Sequence, residues 1–430
     1  MASTPQPQIV GSPPAGELVS KTVLWMTGLN AQAFSGQLNP SNLYRQLVDG
    51  GPSVFPLLRE VEEKDLAVGS ALATRRLLVL AREADVHVAD QENRQAQLYA
   101  DELAAFLDSI KKWRWVLWEL LDAPAYGYSV MEIIWKLTPE GIRTEKIIGR
   151  PQELFRFGLL TEPQTGELML SEFPGGQPQP VPANKFLVNT YQSRHGDQRG
   201  LPLIRRLFWP SWFKRNALRL HLQFLEKGSG TIVVQYNPGA SETEKDKALE
   251  AARAIAEEIA CAVPQGFTLL EAPLQGTRTR QGDDYDRLFQ YFDAEMTRIV
   301  LGQTLTTRGS EQQRGTQALG NVHEQLLLEV IRSDAADLEE TINEQLCAPW
   351  LTWTFGPQAL ERAVRPWWTI EKDPPEDVSE SLRQLAQARN LGLKIAQSEA
   401  YELSQLRTPE EGEPVLEPPA APNELFQPGE

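Results

Sequence analysis

The sequence predicts an α+β protein with several long helices, a mostly antiparallel sheet and a small α/β piece. Three observations carry this. Apolar side chains recur at helical spacing over long stretches. The apolar period changes to two after Gly127. A strand–turn–helix–strand pattern lies between two of the long helical stretches.

Taken in order, residues 1–40 are rich in Pro, Ser and Gly and read as a flexible N-terminal arm. Helical pattern begins near residue 41, with Asn39 or Ser41 as a candidate N-cap and Gly50 as a stop. "KDLAVGSALATRRLLVLARE" places Leu66, Leu72, Leu77 and Leu80 roughly on one face, and a further helix follows at 93–110. Trp113, Val116, Leu117, Leu120 and Leu121 have helical spacing; Met131, Ile133, Trp135 and Leu137 then alternate as a strand. "TPEG" makes a turn, "IRTEKII" returns, and "ELMLSE" and "KFLVNTY" read as further strands.

The stretch 201–227 is a long helix that Pro210 should kink or divide. It carries Arg205, Arg206, Lys214, Arg215, Arg219 and Lys227 against one acid, Glu226. Residues 228–282 form the α/β piece, with Ser241 and Glu244 spaced as a capping box. Helix 283–300 presents Tyr285, Leu288, Phe289, Phe292, Met296, Ile299 and Val300 on one face. From 318 to 347 Leu319, Val322, Leu326, Val330, Leu338, Ile342 and Leu346 keep a second stripe, continued by a strand before 370. Residues 371–407 read as shorter helices, and 408–430, rich in Pro and Glu, as a disordered tail.

A formal charge of −16 argues against a protein that grips nucleic acid over its whole surface. No run is long and apolar enough to span a membrane, so no membrane partner is expected. The N-terminus lacks a basic and apolar leader, and two cysteines, Cys261 and Cys347, fit a reducing compartment. The protein is therefore expected in the cytoplasm or in something assembled there.

No catalytic constellation is visible. His87, His195, His221 and His323 have no metal-ligand spacing, and neither a phosphate loop nor a GxSxG elbow occurs. No cofactor and no metal are expected. Asp283, Asp284 and Asp286 could hold a nuclease metal, but acids at a helix start are also favoured by the free N–H groups there. The Trp surplus fits core burial and also packing against another chain.

Between the last two long stripes lies "LGQTLTTRGSEQQRGT". Thr304, Thr306, Thr307, Ser310 and Gln312 are polar and uncharged; Arg308 and Arg314 are the only cations. It is either a plain surface connection or a loop that touches a polymer lightly and releases it.

Here the residues resemble a known family. "DYDRLFQYFDAEMTRIVLGQTLTT", "EEKDLAVGSALATRRLLVL", "RGLPLIRRLFWPSWFKR", "YNPGASETEKDKALEA" and "TPEEGEPVL" are similar to the portal proteins of Mu-like tailed phages and prophages, over roughly 40–420. The resemblance implies a portal fold: a wing over 41–200, stem helices at 201–227 and 283–300, a clip at 228–282, a tunnel loop at 301–317, a long wing helix and strand at 318–370, and crown-like helices at 371–407. It implies a ring of about 12 copies at one capsid vertex, present in the virion after assembly in the host cytoplasm. The ring would conduct double-stranded DNA without sequence specificity and dock the terminase large subunit, major capsid and scaffolding proteins and head–tail connector proteins. It would not be an enzyme. From the residues alone, a cytosolic helical scaffold or adaptor with no DNA role stays open as the alternative.

Overall fold

The computed structural model describes residues 11–19, 54–139, 141–158, 168–171, 176–195, 197–226, 232–235, 241–247, 250, 268–271, 278–302, 317–372, 378–390 and isolated positions between 396 and 408. The chain divides into two compact units, Met1–Lys372 and Asp373–Glu430.

The first unit opens with α1 (Val54–Lys64) and α2 (Leu66–Leu80). Asp65 joins them, and its carboxylate accepts from the Ala67 and Val68 N–H groups as the cap of α2. Then come β1 (Ala84–His87), α3 (Arg94–Asp108), α4 (Trp113–Leu120) and the short α5 (Ala123–Tyr126). Six strands follow: β2 (Tyr128–Thr138), β3 (Gly141–Arg150), β4 (Phe155–Phe157), β5 (Leu168–Ser171), β6 (Pro178–Pro180) and β7 (Phe186–Thr190). Two long helices, α6 (Leu203–Glu226) and α7 (Arg278–Leu301), stand on either side of β8 (Ile232–Gln235) and β9 (Thr268–Glu271) in sequence. Helix α8 (Gln317–Ile342) passes through a π turn at Asn343–Cys347 into α9 (Ala348–Phe355), and β10 (Trp367–Ile370) closes the unit. The second unit contributes α10 (Val378–Asn390).

Among the described residues all strand pairs are antiparallel, in sheets ordered β3–β2–β7, β4–β5–β6, β1–β10 and β8–β9. Strand β2 is central and buried on both faces from Tyr128 to Trp135. Alternation sends Met131, Ile133 and Trp135 into one core with Leu103, Phe106, Leu120, Leu338, Ile342 and Trp350. Tyr128 and Val130 enter another with Leu58, Val68, Leu72, Phe208, Met296 and Val300. Leu137, placed with the apolar alternation from the sequence, is 61% exposed beyond the bulge at Ile134/Trp135. The chain enters β2 through Gly127 at φ 94°, where a Cβ would sit 2.4 Å from the Arg199 carbonyl oxygen; only glycine fits.

Several tryptophans that could have served another chain are used internally. Phe106 stacks on Trp350 at 4.5 Å, Trp113 meets Trp368 edge-on at 5.8 Å, and the Trp135 and Trp350 indoles donate to the Asn184 and Ile142 carbonyls, each at 2.9 Å. The π turn explains how α8 binds two strand edges. Asn343 accepts from the Trp368 N–H at 2.9 Å and donates to its carbonyl at 2.7 Å; Gln345 does the same to Val188 at 2.7 and 2.9 Å. Both amides act as substitute strand partners, so the edges of β10 and β7 are covered.

Three expectations are corrected. Of the two outcomes expected of Pro210, a kink or a division, the division does not occur: α6 runs unbroken, since one lost hydrogen bond is minor in 24 residues packed on α1 and α7. On α2 the buried face is Val68, Ala71, Leu72, Arg75, Arg76 and Val79, while Leu66 and Leu77 are 84% and 49% exposed. The arm is not free over 11–19. Glu132, fully buried on β2, accepts from the Leu18 N–H at 2.6 Å and the Val19 N–H at 3.4 Å. It is paired with Arg150 at 2.7 Å and Lys185 at 3.5 Å, and Arg150 also holds Glu17 at 2.7 Å. Burial draws the Lys185 ammonium below its usual range, with Glu132 opposing the shift. The expected cap sites Asn39, Ser41 and Gly50, and the tail beyond 408, lie outside the described residues.

Candidate channel helices and their anchor

Helices α6 and α7 pack along each other, and both contact the α1–α2 pair. The first turns of α6 bury Leu203, Ile204, Leu207 and Phe208. Past Ser211 the helix leaves that core: Phe213, Leu218, Leu220 and Leu222 are about half exposed. Leu288 and Tyr291 of α7 are exposed as well, at 38% and 59%. His221 packs on Tyr285 at 4.8 Å.

The basic stripe separates into two kinds of position. Lys214 reaches Asp65 at 2.9 Å and Asp293 at 2.6 Å, and Arg215 lies 3.6 Å from Glu60. These acids belong to the same chain. Burial alone would lower the Lys214 pKa; the hydrogen bonds it donates to Asp293 and Asp65 outweigh it and raise the pKa. Arg206 and Arg219 are exposed, Arg205 is half-buried, and none of the three forms an ion pair among the described residues. Lys227 and the loop residues Thr304, Thr306, Thr307, Arg308, Ser310, Gln312 and Arg314 lie outside the described residues.

What the sequence reading missed is the anchor beside that loop. Arg75 of α2 is 4% exposed and forks onto Asp334 of α8, with Nε at 2.6 Å and Nη2 at 2.8 Å. Its Nη1 donates to the Val300 carbonyl at 2.7 Å and its Nη2 to the Tyr191 hydroxyl at 3.2 Å. One guanidinium thus ties the last turn of α7, before the loop, to α8, after it. Gly302 continues from Val300 at φ 75°, a left-handed conformation that ends α7. The available signal was the Arg75–Arg76 pair inside an otherwise apolar helix, since buried arginines need partners.

Asp337 stands one turn from Asp334. Burial, then the charges of Asp334 and Glu340, push its pKa up to about 6, with Arg75 opposing. A carboxyl with a raised folded pKa favours the native state at low pH, and that contribution is lost as pH climbs from about 4 to about 6. Asp337→Asn should flatten this decline and add on the order of 1 kcal/mol at pH 7, allowing for solvent screening. Urea midpoints at pH 4.5, 6 and 7.5 check it; parallel pH profiles for variant and parent would contradict it.

Helix α7 begins at Arg278, so Asp284 and Asp286 lie inside the helix rather than at its start, and both are exposed. Among the described residues no group of three or more His, Cys, Asp or Glu side chains could hold a metal. Cys347 is buried, and burial pushes its thiol pKa well up. No helix among the described residues is long and apolar enough to cross a membrane.

Known proteins place these elements in context. The portal protein of Escherichia phage Mu is 28% identical over 295 residues, covering 68% of this chain and 56% of its own length. The chain thus spans little more than half of that relative. The Mu-like prophage FluMu protein gp29 of Haemophilus influenzae is 25% identical over 374 residues, covering 84% of this chain and 68% of that protein. Among solved structures, a chain in the neck of an empty gene transfer agent particle gives a TM-score of 0.48 at 11% identity, covering 84% of this chain and 94% of that one. The family model described as "Portal protein of Mu bacteriophage" matches residues 55–406, most of the sequence, and the chain belongs to that family.

Proposed function

We propose that identical copies of this chain close into a ring of about 12 at one vertex of a phage capsid, and that double-stranded DNA passes along its axis during packaging and ejection. Family membership supports the reading, and one structural observation carries it: α6 and α7 form a paired stalk with exposed Phe213, Leu218, Leu220, Leu222 and Tyr291. Among the described residues nothing covers this apolar surface; neighbouring copies would cover it. In the same reading 201–227 and 283–300 are the stem, 228–282 the clip, 301–317 the tunnel loop, 41–200 and 318–370 the wing, and 371–407 the crown. Arg206 and Arg219 face partners supplied by assembly. The terminase large subunit, capsid and scaffolding proteins and connector proteins are its proposed partners, and the chain itself performs no catalysis.

The charge supports the same reading. A net −16 leaves the duplex without a deep binding site in which to stall. Hydroxyl and amide side chains between residues 304 and 312 suit weak contacts to a moving backbone. The test is end-on electron microscopy of the purified protein together with deletion of 304–314. The expected result is a ring with an axial hole of at least about 20 Å, wide enough for a duplex. The deletion should leave rings intact and reduce DNA packaging or retention at least tenfold, by an order-of-magnitude expectation. A monomer under all packaging conditions would refute the ring, and normal packaging by the deletion variant would refute the loop's role.

A further inference from the structure

Away from the stalk, α2 and α4 meet beside an open groove of about 640 Å³ lined by Leu80, Lys112, Arg114, Trp115 and Trp118. Its apolar part is unusually accessible. Trp115 is 57% exposed, and Leu77, one turn before Leu80 on α2, is 49% exposed. Each of the two tryptophans nonetheless has a side-chain partner. The Trp115 indole N–H donates to Glu119, four residues on. Trp118 lies against the Arg76 guanidinium, 5.4 Å from its ring centroid, and Arg76 is itself held by Glu62 at 2.7 Å and Asp122 at 2.9 Å. Lys112, the residue before α4, adopts φ 58°, a left-handed conformation unfavourable for a lysine. That geometry sets Lys112 and Arg114 at the rim.

The charge of the rim points to its occupant. Lys112 and Arg114 are exposed and form no ion pair among the described residues, although the chain as a whole carries −16. Two exposed cations beside two accessible tryptophans, with Glu119 as the acid that touches Trp115, are the reverse of the rest of the composition. Tryptophan and arginine are the residue types that dominate binding hot spots, and a pre-fixed aromatic loses little entropy on binding. A groove between two helices suits a third helix laid into it by its apolar face. We propose that the α2–α4 groove docks an acidic amphipathic helix of a partner protein, with apolar side chains on Trp115, Trp118 and Leu80 and carboxylates facing Lys112 and Arg114. Two cations are too few for a phosphate backbone to bind firmly at physiological salt.

The proposal is independent of ring formation and can be tested on the full chain in any oligomeric state. The probe is a dye-labelled peptide of about 20 residues with Leu at i, i+3, i+4 and i+7 and Glu on the opposite face, titrated by fluorescence anisotropy. Saturable binding is expected in the micromolar range. Trp115→Ala, and separately Lys112→Glu with Arg114→Glu, should each weaken it about tenfold, and added salt should weaken the parent but not the charge-reversed variant. A scrambled peptide of equal composition should not bind. The proposal is overturned if binding does not saturate, if both variants bind like the parent, or if the scrambled peptide binds equally. It is also overturned if an oligo-dT strand or anionic vesicles bind more tightly in a Trp115-dependent manner, which would assign the groove to nucleic acid or lipid. The altered side chains are exposed, and circular dichroism of each variant verifies its fold.

Discussion

Asp334→Ala is expected to lower the unfolding free energy by about 3–5 kcal/mol, the scale on which breaking one side of a buried ion pair acts. Arg75 would be left 4% exposed, its fork facing a cavity and only the Val300 carbonyl and the Tyr191 hydroxyl as acceptors. Against a typical total of about 5–15 kcal/mol, the loss is a large fraction of stability. The reverse change, Arg75→Met, strands the carboxylate and should cost a similar amount. Arg75→Met combined with Asp334→Leu removes both charges and should recover much of the loss, because the desolvation penalty disappears with them. Urea denaturation of the four proteins gives the coupling directly. The double variant still lacks the donor to Val300, so amide exchange at 300–302 should stay faster than in the parent even where global stability returns. Additive single effects, or a loss below about 1 kcal/mol, would remove the anchor from the account.

Glu132→Ala should be comparably damaging, again about 3–5 kcal/mol, because it leaves two buried cations, Arg150 and Lys185, facing each other without their shared carboxylate. It carries a second, local signature. The backbone N–H groups of Leu18 and Val19 lose their acceptor, and what holds residues 11–19 is then Glu17, through Arg150 and Lys146, and the Gly16 carbonyl, which accepts from Lys185. Limited proteolysis should then cut within 11–19 under conditions where the parent resists. Glu132→Gln keeps one acceptor oxygen and the side-chain shape and should fall between the two. A Glu132→Ala protein with unchanged proteolysis would show that the segment is held by other contacts.

The parts of this fold that were legible in the sequence are those whose signal is local. The β2–β3 hairpin follows from alternation and a turn, and α4 and the later part of α8 follow from a 3.6-residue stripe. The family was legible too, through short strings over 62–80, 199–215 and 284–307 that the family model also spans. What failed was whatever depended on a distant partner. On α2, two of the six core-facing positions are arginines, so a search for leucines selected Leu66 and Leu77, which face outward. Nothing local marks Asp334 as the acid that Arg75 needs, or Glu132 as a ligand for peptide N–H groups more than a hundred residues earlier. The basic stripe was read as one surface, yet Lys214 is an internal tie while Arg206 and Arg219 are exposed.

Strand β2 has a consequence for synthesis. One of its faces is covered by α3 and α4, but also by Leu338, Ile342, Trp350 and Trp368, which leave the ribosome some two hundred residues later. Strand β1 likewise waits for β10. A nascent chain that has reached α7 therefore carries a finished hairpin whose one face is only partly covered, by α3 and α4, for many seconds at ordinary elongation rates of about 5–20 residues per second. Such a chain is a natural client for a chaperone that shields β2 until the final strand arrives, and shortening it near residue 340 should yield aggregates rather than a smaller soluble protein.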